Sequence, residues 1–249
     1  MNNKRTWLIL GGTSAIGRAF AREAARRGDD ILFLGKENDD LELAVLDIRA
    51  RYPSVDVARH ELDTSNLDSF AKTVEECEQK AQNIISVFSA LETAYTQKEC
   101  GKDLGKIKNM FQINYLSQVY FLSAVAPVMQ KQGCGEILVL GSTAGEYGRS
   151  DNYAYGSTKA ALHVWLQGFH DQMAESGVSV TTVKIDDLDS VGERKNVSRW
   201  MPIDLEACAR ACMDYSRRKA RVRYFPWYSS VTVVLRHFIP EDIFDRLKK

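Results

Sequence analysis

The chain has little that would brace a fold from outside its core. Its five cysteines are odd in number and lack the paired C-x-x-C spacing of zinc sites, so neither a disulfide framework nor a structural zinc is expected. Five prolines, and no low-complexity tract or internal repeat, leave no candidate linker, and residues 1–249 read as one domain. No run of about 20 apolar residues occurs, so no membrane-spanning helix is expected. The start, Met1 to Leu10, has neither an apolar core of signal-peptide length nor a small-residue cleavage site, and the cytoplasm is the expected compartment. Charge of one sign is not in excess either: 33 Lys and Arg stand against 33 Asp and Glu, without the basic footprint of a nucleic-acid binder. The histidines, His60, His163, His170 and His237, are scattered, and no metal is expected.

What is present is an ordinary composition of 45% apolar and 27% charged residues over 249 positions. Such a chain buries roughly 70–75% of its unfolded surface without staples. Apolar runs read as strands at Thr6–Leu10, Asp30–Gly35, Val55–Leu62, Asn83–Ser89, Glu136–Gly141, Val178–Ile185 and Arg221–Phe225. Several lack strict alternation, the pattern of strands covered on both faces. Helical spacing fills Ile16–Gly28, Leu41–Tyr52, Leu67–Ala81, Leu104–Gln130, Tyr153–Ser176 and Leu205–Arg218. Alternation of this kind predicts an α/β fold, a doubly wound parallel sheet of Rossmann type with helices on both faces.

After the first strand comes Gly11-Gly12-Thr13-Ser14-Ala15-Ile16-Gly17, opening an amphipathic helix with Arg18, Arg22 and Arg26 on its polar side. Glycines allow a tight turn and close backbone approach, and a helix N-terminus offers N–H groups to a pyrophosphate. Gly11, Thr13, Ser14, Ala15, Ile16 and Gly17 are therefore candidate cofactor contacts, the alternative being a plain strand-to-helix turn. The second strand ends Leu34-Gly35-Lys36, where a fold preferring NAD usually places an acid for the ribose 2′-hydroxyl. Without that acid, and with Lys36 as a point charge, NADP(H) is favoured over NAD(H). The alternative is a solvated lysine, with Glu37, Asp39 and Asp40 close by. Asp63, after the third strand, is a candidate for adenine or a cap for the helix near Leu67.

Tyr155 and Lys159 stand four apart at the head of a helical pattern and so share one face. A phenol that ionises near about pH 10 is a poor acid or base at neutrality, but an adjacent ammonium stabilises the phenolate. Ser142 follows a strand and falls at the carboxyl edge of the sheet, where α/β folds bind ligands. Tyr153 lacks such a partner, since Ser157 stands four residues on.

The glycine turn, strand-end Ser142 and Tyr155-x-x-x-Lys159, in that order, resemble the short-chain dehydrogenase/reductase family from Thr6 to about Phe225. The resemblance implies an NAD(P)-dependent enzyme interconverting a carbonyl and a secondary alcohol. It implies that Asn114, in Phe111-Gln112-Ile113-Asn114-Tyr115, is a fourth catalytic residue holding a relay water. Two stretches depart from the family pattern. Phe88-Ser89-Ala90-Leu91 stands where Asn-Asn-Ala-Gly is common, and Ile185-Asp186 stands where Pro-Gly is common. Ser190 takes the place of a threonine that contacts the nicotinamide, while Asp186, Asp187 and Asp189 resemble a cation site only superficially.

The tail, 226–249, places Trp227, Tyr228, Val231, Val234, Leu235, Phe238 and Ile239 where they can form one apolar face, interrupted by Arg236 and His237. A second short helix would carry Ile243, Phe244 and Leu247 beside Arg246, Lys248 and Lys249. Its own domain, a second subunit of a homo-oligomer and the surface of a membrane are all candidate partners. The layout Tyr-Phe-Pro-Trp…Arg-x-x-x-Pro also resembles reductases that reduce decaprenyl-phosphoryl 2-keto-ribose, which implies a keto-sugar or lipid-linked substrate. From another class comes the alternative of a non-catalytic dinucleotide sensor, which would not need the complete Asn, Ser, Tyr and Lys set.

Overall fold

A computed structural model describes residues 4–36, 39–185 and 203–238. Ser190, Glu37, the acids at 186, 187 and 189, and the second tail helix lie outside the described residues.

Seven parallel strands form one sheet: β1 (Arg5–Leu10), β2 (Asp30–Gly35), β3 (Val57–Glu61), β4 (Ile84–Ser89), β5 (Glu136–Ser142), β6 (Ser179–Ile185) and β7 (Val222–Phe225). They run in the order β3-β2-β1-β4-β5-β6-β7. Each strand predicted from the sequence is found, with ends moved by at most two residues. The order reverses between β1 and β4, which opens a crevice at the carboxyl ends of those strands, the usual ligand site of a doubly wound sheet.

Alternate residues of the strands build two apolar layers. On one face Trp7, Ile9, Phe33, Phe88 and Val183 pack against α1 (Ala15–Arg26), α2 (Asp39–Arg51) and α8 (Leu205–Arg217). Phe20 of α1 stacks on Phe88 with ring centroids 3.8 Å apart and planes 5° from parallel, while meeting Trp7 edge-on at 5.0 Å. On the other face Leu8, Leu10, Val87 and Val139 meet α3 (Phe70–Lys80), α6 (Ser117–Gln132) and α7 (Tyr153–Ala174).

The single helix expected over Leu104–Gln130 is built in three parts: α5 (Leu104–Phe111), a π turn over Gln112–Leu116, and α6. A further short helix, α4 (Gln97–Lys102), precedes them and was not foreseen. The tail begins with α9 (Ser229–Phe238).

Candidate active site

The glycine turn fits a dinucleotide's pyrophosphate. Gly11 has φ of +77°, and a Cβ on it would stand 2.6 Å from the Ala90 carbonyl oxygen, while one on Gly17 would collide with the Gly11 carbonyl. Backbone therefore approaches backbone where only glycine permits it. Ser14 caps α1, its hydroxyl accepting the Gly17 N–H at 3.0 Å and donating to the Gly11 carbonyl at 2.7 Å. The helix held in this way opens its N-terminal dipole end onto the crevice beside Thr13, Ala15 and Ile16. Arg22 and Arg26 are occupied elsewhere, with Asp47 and Glu23.

Lys36 lies exposed just past β2. Asp63 closes its own turn: one carboxylate oxygen accepts the Ser65 N–H at 2.9 Å and the Ser65 hydroxyl at 2.7 Å. Those bonds, with a lesser contribution from Lys36, hold the carboxyl below its usual range. The short 3-10 helix that follows, Leu67–Ser69, has Asn66 rather than Asp63 at its N-cap position.

Ser142 ends β5 with its N–H donating to His163 Nε2 at 3.3 Å and its hydroxyl oxygen accepting the Ala144 N–H at 3.1 Å. Acceptance there leaves the hydroxyl's own hydrogen for another partner. The turn after Ser142 packs directly on α7, where a Cβ on Gly145 would lie 2.8 Å from the Ala160 nitrogen. Behind Ser142 runs a charged row: His163 Nδ1 faces Glu146 at 3.4 Å, and Lys184 forms an ion pair with the same oxygen. Burial pushes the Glu146 carboxyl up, but His163 and Lys184 outweigh it and hold the group at about 2. Burial lowers His163, in keeping with a neutral ring whose bare Nε2 accepts from Ser142. Burial and the Glu146 charge push the Tyr224 phenol up to about 12.

Tyr155 and Lys159 occupy one face of α7, 7% and 1% exposed. The Lys159 ammonium sits 5.6 Å from the Tyr155 ring centroid. A third member, Glu92, on the loop after β4, has no signal in the sequence. Its Oε2 accepts the Tyr155 hydroxyl at 3.1 Å and pairs with Lys159 Nζ at 2.8 Å, and its side chain is 28% exposed.

Asn114 lies in the π turn, fully buried. Its Oδ1 accepts the Thr93 N–H at 2.7 Å, and its Nδ2 donates to the Thr93 carbonyl at 2.9 Å and to the Thr158 hydroxyl at 3.1 Å. Thus the side chain expected to anchor a water grips the Glu92–Thr93 loop and α7 directly. The π turn alters the helix hydrogen-bond ladder at Asn114, and Gln118 Nε2 donates to its carbonyl at 2.7 Å. Gln118 also holds the stretch that departs from the family pattern, donating to the Leu91 carbonyl at 3.1 Å and accepting the Ser89 hydroxyl at 2.8 Å.

This crevice and its side chains define a dinucleotide-dependent enzyme class, and comparison with known proteins identifies it. The chain belongs to the short chain dehydrogenase family, whose model matches residues 5–199. It is an NAD(P)-dependent oxidoreductase acting between alcohol and carbonyl groups. An uncharacterized oxidoreductase of Staphylococcus epidermidis is 28% identical over 199 residues, covering 76% of this chain and 84% of that one. The 3-dehydrosphinganine reductase of Danio rerio is 26% identical over 194 residues, covering 74% of this chain and 57% of its own. The bulky-bulky ketone specific alcohol dehydrogenase from Comamonas testosteroni shares the fold with a TM-score of 0.78 at 19% identity, covering 96% of each chain.

Proposed function

We propose that the protein is an NADP(H)-dependent oxidoreductase interconverting a ketone and a secondary alcohol, with Tyr155 as general acid and base. The observation that carries this reading is the buried pairing of Tyr155 and Lys159 on one face of α7, packed against the turn that follows Ser142. Bound NADPH would supply hydride to the carbonyl carbon. Tyr155 delivers a proton to the carbonyl oxygen, and Ser142 orients that oxygen through its hydroxyl hydrogen. Lys159 holds the nicotinamide ribose and favours the phenolate when the reaction runs toward oxidation. Asn114 contributes by fixing Thr93 and Thr158 around the pair. Lys36 at the end of β2 favours NADP(H). Two relatives, one named for 3-dehydrosphinganine and one for bulky ketones, support a ketone substrate, and a keto-sugar, free or lipid-linked, is the class to test first.

Tyr155→Phe tests the reading. Removal of a positioned general acid costs on the order of 10²–10⁴ in rate, so turnover of keto-sugars should fall by at least about 10²-fold. NADPH binding, followed by its fluorescence, should stay near the wild-type value. Retention of more than about a tenth of the wild-type rate would overturn the assignment.

A further inference from the structure

Glu92 carries an inference that rests on the proposed role of Tyr155. The loop leaving β4 delivers one carboxylate oxygen to two buried groups at once, the Tyr155 hydroxyl at 3.1 Å and the Lys159 ammonium at 2.8 Å. The loop is pinned on both sides of that residue: Gln118 holds the Leu91 carbonyl, and Asn114 holds both the N–H and the carbonyl of Thr93. Glu92 is thus presented to the pair by a braced backbone.

We propose that Glu92 is a positioning residue that keeps Tyr155 in its protonated form and so biases the site toward carbonyl reduction. A phenol donates a hydrogen bond to a carboxylate only while it keeps its proton, and losing that proton sets two anions side by side. Lys159 alone would favour the phenolate; shared with Glu92, its charge is largely spent. Tyr155, Lys159 and Glu92 together are neutral while the phenol is protonated and carry one negative charge once it ionises. The low effective dielectric around a lysine only 1% exposed magnifies that difference.

Other ionisable groups also stand near Tyr155 among the described residues. Tyr95 and Cys100 share its apolar cluster, where burial pushes the Cys100 thiol up. Lys106, over the Tyr95 ring, is paired with Glu99 at 2.7 Å. His163, one turn beyond Lys159, is turned toward Ser142 and Glu146. Reduction needs the phenol to arrive with its proton and oxidation needs it to arrive without, so the carboxylate favours the first.

The test needs neither substrate nor cofactor. Ultraviolet difference titration near about 295 nm follows tyrosinate formation, and subtracting the same background with Tyr155→Phe isolates this one among the 10 tyrosines. Glu92→Gln keeps an acceptor and loses the charge; it should move the Tyr155 midpoint down by about one pH unit or more. Glu92→Ala should move it at least as far, and Glu92→Asp should restore it toward wild type. Circular dichroism would show each variant to be folded. A Glu92→Gln titration coincident with wild type overturns the proposal, and so does a shift reproduced as fully by Asp as by Gln, since charge would then not be the cause. Failure of the general-acid reading itself would show separately, as Tyr155→Phe retaining turnover while the midpoint result stands.

Discussion

At the scale of the residue, the proposed preference for NADP(H) rests on Gly35 and Lys36. Among the described residues a Cβ on Gly35 would meet only Leu41, at 3.8 Å, so an aspartate fits there without disturbing β2. Gly35→Asp with Lys36→Ala removes a cation and adds a carboxylate where a 2′-phosphate would lie. We expect the ratio of kcat/KM for NADPH over NADH to fall by about tenfold or more, the equivalent of ~1.4 kcal/mol. Steady-state kinetics with both cofactors checks it, and a wild-type enzyme preferring NADH would refute the premise. Tyr155 and Lys159 stand out as candidates through their spacing on α7, Ser142 through its place at a strand end, and Asn114 through the family resemblance. His163 was legible in principle, since it stands four after Lys159 and shares its face. Glu92 was not: it lies in an irregular loop whose path is set by Asn114 and Gln118, and no local pattern encodes contacts made from two turns of a distant helix.

At the scale of the element, α4 has a signal in the sequence at its cap and none in its periodicity. Thr96 and Glu99 have capping-box spacing, and both reciprocal bonds form, Glu99 N–H to the Thr96 hydroxyl at 3.3 Å and Thr96 N–H to the Glu99 carboxylate at 2.9 Å. Lys106, with Thr96, holds the Glu99 carboxyl at about 2. The six residues after the cap, Gln-Lys-Glu-Cys-Gly-Lys, carry a single apolar side chain, so periodicity alone does not reveal the helix. α4 matters because Gln97 accepts the Ala154 N–H at 3.0 Å, fixing the head of α7 next to Tyr155. Thr96→Ala should cost about 1 kcal/mol, lowering Tm by roughly 2–4 °C in calorimetry. An unchanged Tm would show that the cap contributes nothing. The break within Leu104–Gln130 was hidden for another reason: a π turn adds one residue between neighbouring helical faces, and the apolar spacing on either side still looks helical.

At the scale of the whole molecule, the layered sheet was legible because both of its faces are buried and its strands read as continuous apolar runs. The tail was less so. α9 buries Ser229 and Val233 yet leaves Val231, Val234 and Leu235 open, and Trp227, two residues before it, is 72% exposed. No helix among the described residues is long and apolar enough to cross a membrane. We propose that this open face meets an anionic membrane surface, adding about 25 cal/mol per Å² of apolar surface covered. Trp227→Ser with Leu235→Glu changes only exposed positions and should leave Tm near wild type while weakening binding to anionic vesicles in a flotation assay. Undiminished vesicle binding would rule out that contact, and a loss of dimer in sedimentation would assign the face to a second subunit.

The strand order has a consequence in time. β1 is flanked by β2 on one side and by β4 on the other, and its register with β4 begins at Arg5 opposite Ile84. A growing chain emerges at about 5–20 residues per second, so β1, β2 and β3 exist for seconds before the fourth strand arrives. During that interval the Trp7–Leu10 edge offers open backbone groups that another copy could pair with. Crowded synthesis should therefore lower the yield, and slowing initiation should raise the soluble fraction.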